Sequence, residues 1–409
     1  MTETPPVASA LETSDQVASH LHPAGSWVVE DHEIPNGREE IWRFTPLKRL
    51  RGLHADAPFE PSRTACTWTT PEGVRIEGVD GDEARSLRGI SGFVPSDRAS
   101  ARVMSEEVPS SLLVDVPSDT EVTEPVVITL SGADAGVTEA GHIALRFGAH
   151  SRAVVVLVHE GSSSMAQVVE AHVGDGANVS VVSIQDWADD AVHLSHQEAV
   201  VGRDASYRHV AVSFGGDLVR MNTNVRYSGP GGKAELFGLY FADAGQHLEH
   251  RLFVDHNAPK TRSNVDYKGA LQGRGAHSVW IGDVLIRKVA EGIETYESNR
   301  NLVLTDGCQA DSVPNLEIET GEIEGAGHAS TTGRFDDQQL FYLQARGIPE
   351  DEARRLVVYG FFADIIRKIG VPQIEDRLLK TIEAELEKNV TLGGSAALAP
   401  TELVPPEPA

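Results

Sequence analysis

A short stretch of sequence recurs through the middle of the chain at a nearly constant spacing. Each copy has a polar or glycine-containing turn, then an alanine, then alternating apolar residues, and the alanines of the first four copies are Ala149, Ala177, Ala205 and Ala234. Their spacings of 28, 28 and 29 residues lie in the range typical of solenoid repeats. Alternating apolar residues predict strands, and stacked strands of this kind bury their apolar faces against neighbouring copies. The recurrence therefore predicts a parallel β-solenoid.

Two later copies are spaced more widely. Ala276 and Ala310 follow at intervals of 42 and 34 residues, which predicts insertions in the later coils. An antiparallel sandwich is the alternative, because it also contains many short strands. We favour the solenoid because sandwich hairpins place turns roughly every 8 to 12 residues and keep the phase of a long repeat less well.

Other patterns flank the repeat. Residues 1–24 are polar and contain three prolines, which predicts a flexible arm. Residues 25–119 mix helical and alternating pieces, as in a small mixed α/β cap, and residues 120–333 are assigned to the β-solenoid core. Residues 391–409 are rich in proline, alanine and glycine, and we predict a disordered tail there.

A helical domain is predicted over residues 334–390. Asp336 has the character of an N-cap, with Gln339 three residues later, and Gly347 is a natural stop for the first helix. A second helix starts after Pro349. The third has one apolar stripe at intervals of four residues, formed by Ile374, Leu378, Ile382 and Leu386.

Charge and cysteine content restrict the partners and the compartment. Lysine and arginine total 35 against 61 acidic residues, and a net charge of -26 disfavours nucleic acid and anionic membranes. The two cysteines, Cys66 and Cys308, are too few for a disulfide framework and are typical of a reducing compartment. No window approaches the roughly 18 apolar residues of a spanning helix. We therefore predict a cytoplasmic protein that binds neither nucleic acid nor membrane.

The segment from Gly325 to Arg334 carries one histidine, His328, among small residues, which predicts an exposed turn. Imidazole binds metals and transfers protons near neutral pH. Gly325 and Gly327 leave no side chain to shield the ring, so that another chain could approach closely. A solvent-facing histidine without a special role is the alternative interpretation.

Three further histidines lie close together in the sequence. His247 and His250 are an odd number apart and would face opposite sides of a strand, so at most His250 and His256 share a face. Structural or interface roles are favoured over a zinc or iron site. Asp255 precedes His256 and is a candidate for orienting its imidazole.

An ordered series of blocks resembles the SufB/SufD family of iron-sulfur cluster assembly proteins. The resemblance covers roughly residues 120–390, and Glu40–Phe44 is similar to the family's N-terminal signature. Within the family the chain is most similar to the SufD branch, because it belongs to the shorter class and lacks the upstream cysteines of cluster-building members. The blocks are Asp255–His256, Tyr267–Ala270, Glu297–Leu302, Pro314–Ile318, Gly327–Gly333 and Leu340–Ile348.

The resemblance implies a mainly β protein: a right-handed parallel β-helix with an N-terminal mixed α/β cap and a C-terminal α-helical domain. It also implies a non-catalytic scaffold that pairs with SufB through the β-helix and docks the SufC ATPase through its C-terminal helices. His328 matches the family's interface histidine. The cluster-ligand or interface candidates are His328, Gly327, Thr331 and His256, and the SufC-docking candidates are Phe341, Tyr342, Arg346 and Gly347.

The resemblance implies no permanently bound cofactor. A transient iron-sulfur cluster is expected at the interface with SufB, with His328 as a transient metal ligand and with reduced flavin as a further candidate in the complex. Many relatives have a cysteine just before this histidine, where the present chain has Gly327, so that sulfur ligands must come from the partner. A homodimer of the isolated chain is left open. The alternatives are a SufB-type cluster scaffold and a β-helix enzyme acting on polysaccharides.

Overall fold

The computed structural model describes residues 25–334 and 337–392. The predicted arm, the Asp336 cap and all of the predicted tail beyond Leu392 lie outside these ranges. No helix in the described ranges is both long and apolar enough to cross a lipid bilayer.

The middle of the chain is a parallel β-solenoid of about eight turns, which confirms the predicted fold class. Each turn contributes one strand segment to each of two faces. The first face contains the N-terminal halves of two long strands, β4 (Val126–Phe147) and β5 (Arg152–Val173), followed by the even-numbered strands from β6 to β16. The second face contains the C-terminal halves of β4 and β5, followed by the odd-numbered strands from β7 to β15. The strands are β4 (Val126–Phe147), β5 (Arg152–Val173), β6 (Asn178–Trp187), β7 (Val192–Val201), β8 (Ser206–Ser213), β9 (Leu218–Tyr227), β10 (Lys233–Ala242), β11 (His247–His256), β12 (Arg262–Leu271), β13 (His277–Ile286), β14 (Glu294–Val303), β15 (Gln309–Ile318) and β16 (Gly325–Arg334).

The wide spacing of the later alanines has a different cause from the predicted insertions. Ala177 and Ala205 precede strands of the first face, whereas Ala276 precedes β13 and Ala310 lies in β15, both on the second face. Equivalent positions on the first face, Lys233, Arg262 and Glu294, are only 29 and 32 residues apart. The repeated sequence pattern therefore lies before strands of the first face in the early coils and at strands of the second face in the later coils. The later coils are only a few residues longer than the early ones.

Inside the central coils, a tyrosine on one coil packs beside a glycine on the next coil. Tyr240 of β10 is in register with Gly269 of β12, and Gly238 is in register with Tyr267. All four positions point into the solenoid, and a Cβ placed on either glycine would overlap the neighbouring tyrosine ring. Each aromatic ring therefore occupies the space that glycine leaves on the adjacent coil.

Gly269→Ala is expected to lower the free energy of unfolding by about 1–3 kcal/mol, because the added methyl group must displace the buried Tyr240 ring. Gly141→Ala in β4 is the matched control, since no atom beyond its two chain neighbours lies within 4 Å of its Cβ position. That control should change stability by less than about 0.5 kcal/mol. Chemical denaturation of both variants measures the difference, and equal stabilities would contradict this account of the packing.

The N-terminal residues form the predicted mixed α/β cap. They cover the outer side of the second face, where Trp42, Leu50 and Phe93 pack on Val192 and Leu194. Antiparallel β1 (Ala65–Trp68) and parallel β3 (Ser110–Val116) both pair with β4 and thereby close the first end of the solenoid. The cap contains three 3-10 helices (Val29–Asp31, Glu40–Trp42 and Leu47–Leu50), the strands β1 (Ala65–Trp68), β2 (Arg75–Asp80) and β3 (Ser110–Val116), and the helices α1 (Gly81–Leu87) and α2 (Arg98–Val103).

The three C-terminal helices are α3 (Asp337–Ala345), α4 (Glu350–Arg367) and α5 (Pro372–Leu392). The predicted stripe of α5 is buried, and together with Phe362 and Ile365 of α4 it packs on the outer side of the first face. This explains runs such as Val154–Val158, in which alternate residues face the interior and the helices, so that both sides of the strand are apolar.

Candidate functional site

At the second end of the solenoid, the last two strands each have one edge that pairs with no other strand of the described residues. β15 and β16 stand at the two ends of the sheet path, and each is paired along one edge only, β15 with β13 and β16 with β14. Unpaired edges present backbone donors and acceptors that another strand can bind. Because β1 and β3 pair with β4 at the opposite end, the unpaired edges of β15 and β16 in the described structure lie at one end of the solenoid only.

The segment that carries His328 is a strand and not the exposed turn that its small residues predict. Gly325–Arg334 pairs with β14 in parallel over ten residues. Glycine and alanine have a weak intrinsic preference for strands, but pairing with the preceding coil overrides local propensity. Because most side chains of β16 are small, they shield the backbone of this edge strand little.

His328 lies at the open end with part of its ring in solvent. Its side chain is 42% exposed, because no further coil covers it. It is in register with Glu297 of β14, and its Nδ1 atom lies 3.8 Å from Oε1 of Glu297. No local sequence pattern marked this carboxyl group as a site residue.

Glu297 is almost completely buried, with 2% of its side chain exposed, and neither carboxyl oxygen has a hydrogen-bond partner among the described residues. Burial, together with the nearby Asp283 carboxylate, raises the pKa of Glu297 to about 8. The carboxyl group therefore carries a proton at neutral pH unless a cation or a donor is supplied. Alternation alone would not have indicated this position, because a glutamate on a strand is normally assigned to the solvent side.

Gly327 and Thr331 project to the other side of β16. Gly327 is in register with Tyr296, whose half-exposed ring lies next to it, and Thr331 is in register with Arg300. The structure thus places three of the four interface candidates on one edge strand, with His328 alone on the inward side.

His256, the fourth interface candidate, lies inside the solenoid three turns earlier. Its Nδ1 and Nε2 atoms are 2.7 Å and 2.9 Å from the hydroxyl oxygens of Thr261 and Ser263, and its ring stacks on Tyr227. Burial lowers its pKa to about 3. The structure does not bring His256 to the open end.

Asp255 and His256 do not act as the suggested pair. Asp255 instead accepts two hydrogen bonds from Arg287, from Nε at 2.6 Å and from Nη2 at 2.9 Å. Asp255 and His256 therefore make different contacts, because adjacent residues of a strand point to opposite sides.

The docking candidates on α3 form an exposed aromatic surface. Phe341 is 72% and Tyr342 is 57% exposed, and the guanidinium of Arg346 lies over the Tyr342 ring at 5.0 Å. Gly347 ends the helix with a φ of +86°, as its predicted role as a stop requires. A groove of about 460 Å³ lies between α4 and α5 and is lined by Glu352, Arg355, Leu356, Tyr359, Ile382, Glu383 and Leu386.

Ion pairs that no local sequence pattern indicated hold the helices on the solenoid. Nζ of the buried Lys268 is 2.6 Å from Oδ1 of Asp364 in α4 and donates to the carbonyl oxygen of Phe361. Arg377 of α5 reaches Glu160 and Asp186 on two neighbouring coils. These contacts fix the helical domain, so that α3 and the α4–α5 groove are presented in a defined orientation.

Comparison with known proteins decides the family. Residues 129–361 match the family model described as "SUF system FeS cluster assembly, SufBD core domain". The chain belongs to the SufBD family. An iron-sulfur cluster assembly SufBD family protein of Mycobacterium bovis is 55% identical over 368 residues, which cover 88% of this chain and 92% of the relative.

Two further relatives differ in size and distance. The iron-sulfur cluster assembly protein SufD of Escherichia coli is 23% identical over 380 residues, covering 86% of this chain and 89% of SufD. A second SufBD family protein of Mycobacterium bovis is 28% identical over 230 residues, which cover 56% of this chain but only 27% of that longer protein. One organism therefore contains a SufBD protein of about this length and a much longer one.

Proposed function

We propose that this SufBD protein is a SufD-type scaffold subunit for iron-sulfur cluster assembly. It pairs through its open solenoid end with a longer SufBD relative of the SufB type, and it docks a SufC-type ATPase through its C-terminal helices. The chain contributes binding and positioning, and the ATPase and the partner supply the chemistry. A cytoplasmic location is part of this proposal.

The open end carries this proposal. Its two edge strands have no outer partner within residues 25–334 and 337–392, and Ile318, at the end of β15, is 50% exposed beside the half-buried Leu316. A second solenoid placed against these edges would satisfy backbone groups and bury apolar surface at the same time. His328 would then lie at the seam between the two chains.

Cysteine placement supports a partner that supplies the sulfur ligands. Cys66 lies on β1 at the closed end, and Cys308 lies in the turn before β15, where its Sγ atom is 3.3 Å from the carbonyl oxygen of Gly273. Neither thiol is beside His328 in the described structure. A transient cluster at the seam would thus take imidazole from this chain and thiolates from the partner.

The size difference among relatives supports pairing with a different chain. The Mycobacterium bovis protein that covers this chain almost end to end coexists with the longer SufBD protein. Similarity to SufD extends over most of both chains, which favours the SufD role over the SufB role. The exposed aromatic surface of α3 supports the docking of another protein, because exposed apolar patches of this kind mark interaction sites.

The test is co-expression of the tagged full-length chain with the longer SufBD protein and the SUF ATPase of the same organism. Ile318→Asp should reduce recovery of the longer protein at least tenfold, a loss of about 1.4 kcal/mol, while recovery of the ATPase is unchanged. Val289→Asp, a substitution of a 60% exposed apolar residue in the β13–β14 turn, is the control and should leave both partners bound. Failure of the unmodified chain to retain the longer protein, or its full retention by Ile318→Asp, would contradict the proposal.

A further inference from the structure

We propose that Glu297 is a metal ligand, and that Glu297 and His328 together form a two-residue half-site for a divalent first-row metal ion at the open end. We assign ferrous iron as the ion that this half-site binds, and that assignment rests on the proposed function. The site itself rests on the positions of the two side chains.

The two side chains are already close to the spacing that one metal ion requires. They occupy register-paired positions on adjacent parallel strands, and Nδ1 of His328 lies 3.8 Å from Oε1 of Glu297. Nitrogen and oxygen ligands bind such ions at about 2.0–2.2 Å, so two ligands of one tetrahedral ion are separated by about 3.5 Å. A small rotation of the partly exposed imidazole closes the difference.

Glu297 is otherwise unexplained. It is 2% exposed, and both of its carboxyl oxygens lack hydrogen-bond partners among the described residues. A buried polar group without a partner is destabilising, so an unpaired carboxyl group in a native core requires a reason. A cation between it and His328 would satisfy the group.

The surrounding residues hold this carboxyl group in place. Gly282 of β13 has no side chain, and a Cβ there would overlap both Oε2 of Glu297 and the Trp280 ring. The carboxyl group therefore fills a space that glycine leaves open on the opposite face. The nearby carboxylate of Asp283 adds negative charge, which favours a cation at this point.

The site is a half-site and faces a partner. No group of three histidine, cysteine, aspartate or glutamate residues capable of holding a metal ion occurs in residues 25–334 and 337–392. Two ligands from this chain leave coordination positions open on the side where no coil follows. One carboxylate and one imidazole suit divalent iron, cobalt or zinc better than a soft monovalent ion such as copper(I).

The experiment is an anaerobic titration of the isolated full-length chain with Co²⁺, whose visible absorption reports nitrogen and oxygen ligation. The unmodified chain should bind one Co²⁺ ion, and Glu297→Gln and His328→Ala should each raise the dissociation constant at least tenfold. Glu294→Gln, on the same strand but with a half-exposed side chain, should leave the dissociation constant unchanged. Because His328 is exposed, its alanine variant tests the site even if Glu297→Gln reduces stability, which thermal unfolding would reveal.

No Co²⁺ binding at about 1 mM, the weak limit of useful affinity, would overturn the half-site, as would unchanged affinity in Glu297→Gln. These outcomes are separable from the test of the proposed function. If the chain binds no Co²⁺ but still captures the longer SufBD protein, only the role of Glu297 as a metal ligand is contradicted. Cobalt binding that depends on Glu297, in a chain that captures no partner, would retain the site and remove the scaffold role.

Discussion

Acidification from about pH 7 to about pH 5 is expected to remove most of the stability of this protein. Five histidines lie inside the solenoid, and burial lowers the pKa of each: to about 4 for His159 and His250, to about 3 for His209 and His256, and well below the usual 6.5 for His193. The four histidines whose pKa falls to about 3 or 4 are therefore largely neutral in the folded state at pH 5. In the unfolded chain they would be protonated below their ordinary pKa.

Whether acid stabilises or destabilises the folded state depends on how many protons the folded and the unfolded states bind. Below about pH 6.5 the unfolded state binds up to four more protons at these histidines, so stability is intact above this pH and falls by up to about 5 kcal/mol per pH unit below it. Glu297 opposes this with one proton, about 1.4 kcal/mol per pH unit, because its pKa is raised in the folded state. The net loss over one or two pH units is comparable with a typical total stability of about 5–15 kcal/mol.

Thermal unfolding measured from about pH 7.5 to about pH 5 checks this expectation, and an unchanged melting temperature would contradict it. His250→Phe is the informative variant. Neither nitrogen of His250 has a hydrogen-bond partner among the described residues, and its ring lies near Tyr240 and Tyr267, at centroid distances of 5.1 Å and 5.6 Å. The variant should reduce the pH dependence by one proton, about 1.4 kcal/mol per pH unit, and should unfold at a lower pH.

Arg220→Ala is expected to lower the free energy of unfolding by about 3–5 kcal/mol. Arg220 is 1% exposed and forms an ion pair with the fully buried Glu249, and its guanidinium also lies over the Trp42 ring at 4.1 Å. It donates to Oγ1 of Thr45 and to the carbonyl oxygen of Ile41, so it joins the cap to the second face. Although burial opposes ionisation, Arg220 holds the pKa of Glu249 well below its usual value. Removing the arginine would leave a buried carboxylate with much of its compensation lost.

Chemical denaturation measures this loss. Arg208→Ala is the matched control, because Arg208 pairs with Glu235 with both side chains more than one-third exposed, and it should cost no more than about 1 kcal/mol. The double variant Arg220→Met with Glu249→Gln removes both charges and should recover part of the stability. Equal destabilisation by Arg220→Ala and Arg208→Ala would show that the buried pair does not hold the cap.

Most of the architecture could be predicted from local patterns. Repeated alternation after Ala149, Ala177 and Ala205 indicated stacked parallel strands, and the stripe from Ile374 to Leu386 indicated a helix with one buried face. These patterns are readable because the periods of strands and helices determine which residues share a side. The change of face after Ala234 was not readable, because both faces begin with similar turns.

The candidate site was only partly predictable. His328 was found from its small neighbours, but the same neighbours suggested a turn, and only pairing with β14 makes the segment a strand. Glu297 and His328 are 31 residues apart, and their proximity depends on the length of one coil. Glu249 and Arg220, 29 residues apart, meet for the same reason.

By itself the sequence determined the repeat, the three C-terminal helices and the SufBD family, because each depends on the order and periodicity of residue types. Tertiary structure alone decided that one end is closed and the other open, and that His256 is internal while His328 is at an edge. It also decided that an unpaired carboxyl group lies behind His328. The physical reason is register: stacking the coils brings residues about 30 positions apart into contact, and no local pattern specifies which pairs will meet.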